Sequence, residues 1–211
     1  MRSFNRFQGI GDAGFTLIEL LVAMAIVGIA LGSIYGVFIS SNRSYRTQDE
    51  VAEAQQGVRV GLAFMVRDIR MAGLDPVGPS TDAVDGLGAG IKEATSTKLR
   101  FTADMDMDGA IEESGSERMT YEYNAGTERL ERTLYEGTGS ESTQSVIRKV
   151  STLTFSYLDE DGNALAVPVP AGNLDDIRTV VIQMACQGTD GHGQAFTRTL
   201  NTRVVCRNLS I

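Results

Sequence analysis

The chain has a single histidine, only two cysteines and no run of basic residues. Its one imidazole, His192, lies in the glycine-rich stretch Gly188-Thr189-Asp190-Gly191-His192-Gly193. A hydrolytic triad needs its base on a rigid support beside a nucleophile, so His192 reads as an exposed turn residue and no catalytic residue is expected. Phosphate-binding loops, dinucleotide fingerprints and zinc spacings are absent as well. With a formal charge of -8 and a pI near 4.7, and no basic cluster to offset them, the surface is too acidic for general nucleic-acid binding. There is no internal repeat and no βαβ alternation, which excludes solenoids and doubly wound sheets.

Charge is also missing from one long stretch. From Leu20 to Asn42 no residue carries it. A helix needs about 20 apolar residues at about 1.5 Å each to cross a hydrocarbon core, and residues 15–39 supply that length. The segment is preceded by a polar leader with Arg2, Arg6 and Asp12, which has no apolar region of its own and so differs from an ordinary secretory signal. Positive charge stays on the cytoplasmic side, which puts the N-terminus inside and the rest beyond the inner membrane, in an oxidising compartment. Inside the apolar stretch sits Glu19. An acid at the membrane centre costs on the order of 2.5–3.5 kcal/mol, and less near the edge, so Glu19 is expected to be functional and to find a cationic partner.

The stretch Gly14-Phe15-Thr16-Leu17-Ile18-Glu19-Leu20 resembles the cleavage and methylation motif of type IV prepilins. The resemblance implies cleavage by a dedicated peptidase between Gly14 and Phe15, N-methylation of Phe15, and a role for Glu19 in neutralising the terminal amine of a neighbouring subunit. A buried amine and a buried carboxylate are each costly alone and far less so when paired. Along the same segment Gly28, Gly32 and Gly36 recur at four-residue spacing, which lets another helix approach closely. Many pilins have a helix-breaking proline at the position of Gly36, and this chain does not.

Beyond residue 39 the helix is expected to continue. Val51, Ala54, Val58, Leu62, Met65, Ile69 and Ala72 follow spacings of three and four, and Gly73 with Pro76 ends the run. The stretches Ser41-Asn42-Arg43-Ser44-Tyr45-Arg46, Ala54-Gln55-Gln56-Gly57-Val58-Arg59 and Arg67-Asp68-Ile69-Arg70-Met71-Ala72-Gly73 are similar to minor pilins of the PilW type, and the last also to J-type pseudopilins of type II secretion systems. A solvated helix face accounts for Arg67, Asp68 and Arg70 equally well. Residues 74–98, rich in Gly, Pro, Ser, Thr and Asp, read as a loop. Strands follow near residues 99–101, 119–123, 130–134, 153–157, 180–182 and 196–205, with turn chemistry at Asn124-Ala125-Gly126, Asp161-Gly162-Asn163 and Asp190-Gly191. The expected fold is therefore α+β and pilin-like: leader 1–14, membrane half of the helix 15–39, and a head over 40–211. Within the head, helix 40–72 packs on one antiparallel sheet over 99–208.

Two local features remain. Asp104, Asp106, Asp108, Gly109 and Glu112 match a calcium loop at its first, third, fifth, sixth and ninth positions, but the twelfth is Gly115, so a bidentate acid is missing unless Glu113 or Glu117 bends in. A calcium site and a solvated acidic loop both fit. Cys186 and Cys206 both fall on core-facing positions; a hairpin closed at Asp190-Gly191 puts Cys186 opposite a residue near Ala195, too far from Cys206 for a disulfide. Two separate buried thiols are the favoured expectation, and a bonded pair is the alternative.

The functional expectation is a structural subunit of a type IV pilus, a minor pilin acting at the tip or in initiation. The alternatives are a minor pseudopilin and, in a different class, a membrane-anchored calcium-dependent binding module. Expected partners are other pilins, a prepilin peptidase and methylase, and the inner membrane before the subunit passes to a surface pilus.

Overall fold

The computed structural model describes residues 14–82, 86, 88–112, 116–189 and 194–209, the side chains of Glu53, Ala54 and Thr189 excepted. Arg2, Arg6, Asp12, Glu113, Gly115, the Asp190-Gly191 turn and His192 lie outside the described residues. Two compact units divide the chain, Met1–Arg46 and Thr47–Ile211.

Among the described residues of the first unit the one regular element is the start of helix α1 (Leu17–Met71), which is long and apolar enough there to cross a membrane. Phe15, Leu21, Ile29, Tyr35 and Phe38 are each more than half exposed. An apolar surface this continuous is not stable in water, and no described residue of the unit covers it. The expected lack of a proline break is matched by an unbroken helix through Gly36; Ser33 donates its hydroxyl back to the Ile29 carbonyl, 2.9 Å away.

The second unit is built on the later turns of α1. Val58, Leu62, Met65, Ile69 and Ala72 are all buried, as their spacing requires. The helix stops where expected. Gly73 adopts φ +75, a left-handed geometry that favours glycine, and a Cβ there would lie 2.5 Å from Leu209 Cδ2. Asn208 donates its side-chain amide to the Arg70 carbonyl at 3.1 Å, filling one of the acceptors that the helix end leaves open. Gly61 is needed for a different reason. An added Cβ would come within 2.2 Å of the Ile147 side chain, so glycine permits the close approach of a strand to the helix.

The strands form two antiparallel sheets and a short parallel pair. The larger sheet contains β2 (Ile91–Ala94), β3 (Lys98–Thr102), β5 (Arg118–Asn124), β6 (Arg129–Leu134) and β7 (Ser142–Arg148), in the order β2-β3-β5-β6-β7. The smaller contains β8 (Val150–Leu158), β9 (Thr179–Thr189) and β10 (Ala195–Val205), in the order β10-β9-β8. The parallel pair joins β1 (Thr81–Asp82) to β4 (Ala110–Ile111). Inward-facing residues of both sheets, among them Leu99, Phe101, Tyr121, Leu130, Phe155, Tyr157 and Ile182, meet the helix stripe in one apolar cluster. Each such side chain, fully buried, contributes about 1.5–3 kcal/mol.

Three expectations need correction. Residues 74–98 are not one loop, because β1 and β2 fall inside them and β3 begins at Lys98. β2 reads Ile-Lys-Glu-Ala with only its ends buried, too short a pattern to stand out among turn residues. The single expected sheet is two, since β7 turns directly into β8 and the chain leaves the first sheet there. Asp68 is not on a solvated face. It is 6 % exposed, and its carboxylate accepts hydrogen bonds from the Tyr121 hydroxyl at 2.7 Å and Arg132 Nε at 2.9 Å. Arg67 and Arg70 do face solvent, with Arg67 stacked over the Phe64 ring.

Cys186 and Cys206 are both free and buried. Their faces are as the alternation requires, but the register is not: Cys186 lies opposite Arg198 and not Ala195, because the ladder closes at Thr189 and Ala195. Burial pushes both thiols up to about 11.

Candidate functional site

The N-terminal site is built on the first turn of α1. Gly14, Phe15 and Thr16 precede the helix in non-helical backbone and are exposed, Phe15 to 86 %. The Gly14–Phe15 peptide is therefore open to a protease. Thr16 is the N-cap. Its hydroxyl accepts from the Glu19 backbone N–H at 3.4 Å, while Glu19 Oε2 accepts the Thr16 N–H at 2.9 Å and the Thr16 hydroxyl at 2.8 Å. This is the reciprocal capping box of a Thr-x-x-Glu sequence, and it meets two of the donors a helix start leaves unsatisfied. The signal for it was legible in residues 16 and 19. What the box does to Glu19 was not read from the sequence: among the described residues the carboxylate is held by its own helix start and by no cation.

Gly28, Gly32 and Gly36 lie along one stripe of exposed helix, and beyond the adjoining residues and the helix's own backbone no atom comes within 4 Å of a Cβ placed at any of them. That stripe is open to a neighbouring helix, as small residues at four-residue spacing allow.

The aspartate loop lies in the second unit, between β3 and β4. Asp104, Asp106 and Asp108 each bring a carboxylate oxygen within 4.8 Å of the others, the one such group of acids among the described residues. Asp104 is fully buried. Its Oδ1 accepts from the Met107 N–H at 2.7 Å and the Asp108 N–H at 3.2 Å, and its Oδ2 from the Gly109 N–H at 3.0 Å. Asp106 and Asp108 are exposed, and each accepts the N–H two residues on, at 3.2 and 2.9 Å.

Glu117, buried at 2 % exposure, bends into the loop. It accepts the Met105 N–H at 2.9 Å on one oxygen and the Glu112 N–H at 2.9 Å on the other. Glu112 meets the loop through that backbone N–H, and its carboxylate is not among the converging oxygens. The negative charges of Asp108 and Asp106 push the Glu112 carboxyl above its ordinary value, which measures the repulsion a cation would relieve.

Two polar centres, neither a site on its own, complete the picture. Arg118 and Asp82 form a buried ion pair, and Lys98 bridges Glu136 at 2.8 Å and Glu93 at 3.3 Å. Neither opens on an enclosed cavity with a nucleophile or a base.

Comparison with known families gives one match. Residues 11–35 fit the model of the prokaryotic N-terminal methylation motif, which brackets the Gly14–Phe15 junction, Glu19, Gly28 and Gly32. No curated protein matches the chain significantly. The motif implies processing by a prepilin peptidase and assembly with other pilins, and it points to a structural role.

Proposed function

We propose that this chain is a structural subunit of a type IV pilus, a minor pilin of the PilW type that acts at the filament tip or in starting assembly. The observation that carries the pilin reading is the methylation motif over residues 11–35, laid on the start of a helix whose apolar surface no described residue of its own unit covers. The similarity of residues 41–46, 54–59 and 67–73 to PilW-type proteins supports the finer assignment.

In this reading a peptidase cuts after Gly14 and Phe15 is methylated. The subunit waits in the inner membrane with its N-terminus cytoplasmic, and its head passes to the cell surface on assembly. Glu19 then exchanges Thr16 for the terminal amine of a neighbour, while Gly28, Gly32 and Gly36 let the helices close up. Intact mass of the membrane-extracted protein tests the first step: the mass of Phe15–Ile211 plus one methyl group is expected, and retention of residues 1–14 in peptidase-competent cells refutes it. Glu19→Ala tests the second. The variant subunit is expected to remain in the membrane yet be depleted from sheared filaments, because the neighbour's amine loses its counter-charge. A minor pseudopilin shares every one of these features, and co-purifying prepilins separate the two machines.

A second reading concerns the aspartate loop. We propose that Asp104, Asp106 and Asp108 hold a calcium ion, with Glu112 as the ninth-position acid; the convergence of three carboxylates within 4.8 Å favours it. Calorimetry on the full chain is expected to show calcium-dependent heat that an Asp106→Ala, Asp108→Ala variant lacks. No heat at millimolar calcium leaves a solvated acidic loop. A chain that binds calcium but is neither cleaved nor incorporated is a membrane-anchored binding module.

A further inference from the structure

The outer edge of β10, paired with no described residue, carries an inference independent of the N-terminal motif. A strand at the end of a sheet presents unpaired N–H and C=O groups along its length. The other sheet ends are mostly used within the head. Val169 donates its N–H to the Ala94 carbonyl of β2 at 2.9 Å, and on β8 the Phe155 N–H reaches the Ser96 carbonyl at 2.8 Å while the Tyr157 carbonyl accepts from Leu165 at 2.9 Å. β7 is a shorter edge, and its ladder to β6 is interrupted by a register shift. β10 is different. It runs for 11 residues against β9 without a shift, and no described residue forms a backbone hydrogen bond with its other side.

The direction of each backbone group follows from the ladder. Just beyond β10, Cys206 donates its N–H to the Arg178 carbonyl at 2.9 Å, in the same register as the β9–β10 pairs. In an antiparallel ladder, bonded pairs alternate with non-bonded ones. Val204, Thr202, Leu200, Arg198 and Phe196 therefore bond to β9. Ala195, Thr197, Thr199, Asn201, Arg203 and Val205 point their N–H and C=O groups outward, and all six are exposed.

Proline, glycine and lysine, which often blunt such an edge, are missing from β10. Its only charges are Arg198 and Arg203, one on each face by alternation. Both are exposed, and neither makes an ion pair with any described residue.

We propose that β10 is a strand-addition site for an extended acidic segment of another polypeptide. Charge selects the occupant. Opposite charges directly across a strand pair are favourable and like charges unfavourable, so the two arginines favour a strand with an acid on each face. A second copy of β10 is a poor candidate, because a junction of two such strands gathers four arginines and no carboxylate. Backbone hydrogen bonds supply affinity in this mode, and the side chains supply selection.

The test uses the detergent-solubilised full chain and a fluorescent, capped peptide of nine residues, threonine and valine throughout except for glutamates at its third and eighth positions. Anisotropy is expected to show binding that is about tenfold weaker when both glutamates are replaced by lysine, from two cross-strand pairs turned from attractive to repulsive. In an Arg198→Glu, Arg203→Glu variant the preference should invert. Thr199→Pro removes an outward N–H without touching the β9 ladder, and it should abolish binding while the melting temperature holds. Should that variant unfold, a backbone N-methylated peptide makes the same cut from the other side and should not bind. Equal binding of acidic and basic peptides, or binding of the N-methylated one, overturns the proposal. So does self-association of the chain that Thr199→Pro removes, since the occupant is then a second copy.

Discussion

The two units of this molecule meet the hydrophobic effect in opposite ways. Residues 14–46 put their apolar side chains on the outside of a single helix, where the Thr16–Glu19 box and the Ser33–Ile29 bond satisfy polar groups locally. Residues 47–209 bury theirs in a cluster drawn from a helix and two sheets, and hold Asp68 there with hydrogen bonds from Tyr121, Arg132 and the adjoining Arg67. A surface of the first kind is stable only when something outside the subunit covers it, be it lipid or other helices. One of the second kind is complete by itself. The difference separates what the chain does alone from what it does in company.

The largest effect that could break this comparison is a truncation in the core. Ile69→Ala empties a fully buried site and is expected to cost about 2–5 kcal/mol, lowering the melting temperature of the detergent-solubilised chain. Val27→Ala, in the exposed stretch, should leave that temperature unchanged. A matching drop in both would mean that the first unit is packed like the second.

A smaller effect is expected from Asp68→Asn. It keeps the shape but removes the charge that receives Tyr121 and Arg132, a change of about 1.5–3 kcal/mol for hydrogen bonds to an ionised group. If denaturant titration shows no loss, the helix and the larger sheet are held by packing alone.

The smallest effect appears with pH. Burial, then the hydrogen bond to Asp68, pushes the Tyr121 phenol up from 10.0, and burial does the same to Tyr157. Unfolding returns both to ordinary values, so above about pH 10 the unfolded chain releases those protons first and stability falls as pH rises. Below that window the contribution is fully present. Tyr121→Phe and Tyr157→Phe should flatten the alkaline limb of a melting-temperature profile. The two thiols, pushed up from 9.0 to about 11, open their own window about one pH unit lower. Native protein should label slowly at neutral pH, and denatured, unreduced protein should take two labels; none would mean that Cys186 and Cys206 are joined after all.

The helix, its end at Gly73 and the buried stripe from Val58 to Ala72 were legible in the sequence, because a period of 3.6 and a left-handed stop are set by neighbours along the chain. The motif around Gly14, Phe15 and Glu19 was legible for the same reason, and so was the Asp104 to Gly109 turn. β3, β5, β6 and β8 to β10 showed their alternation. β2 and β7 did not, since strands that short or that polar owe their existence to partners supplied by β3 and β6.

What the tertiary structure alone decided are matters of long-range pairing. Asp68 looks like one more charge on a polar helix until Tyr121 and Arg132, far along the chain, close over it. Glu117 enters the aspartate loop only because β5 begins beside it. The division into two sheets, the pairing of Cys186 with Arg198 and the open edge of β10 likewise depend on which strands meet. Local sequence sets backbone preference and the direction of each side chain. Which residues come to lie opposite one another is settled by the packing of the whole head, where one residue of register moves every contact to the other face.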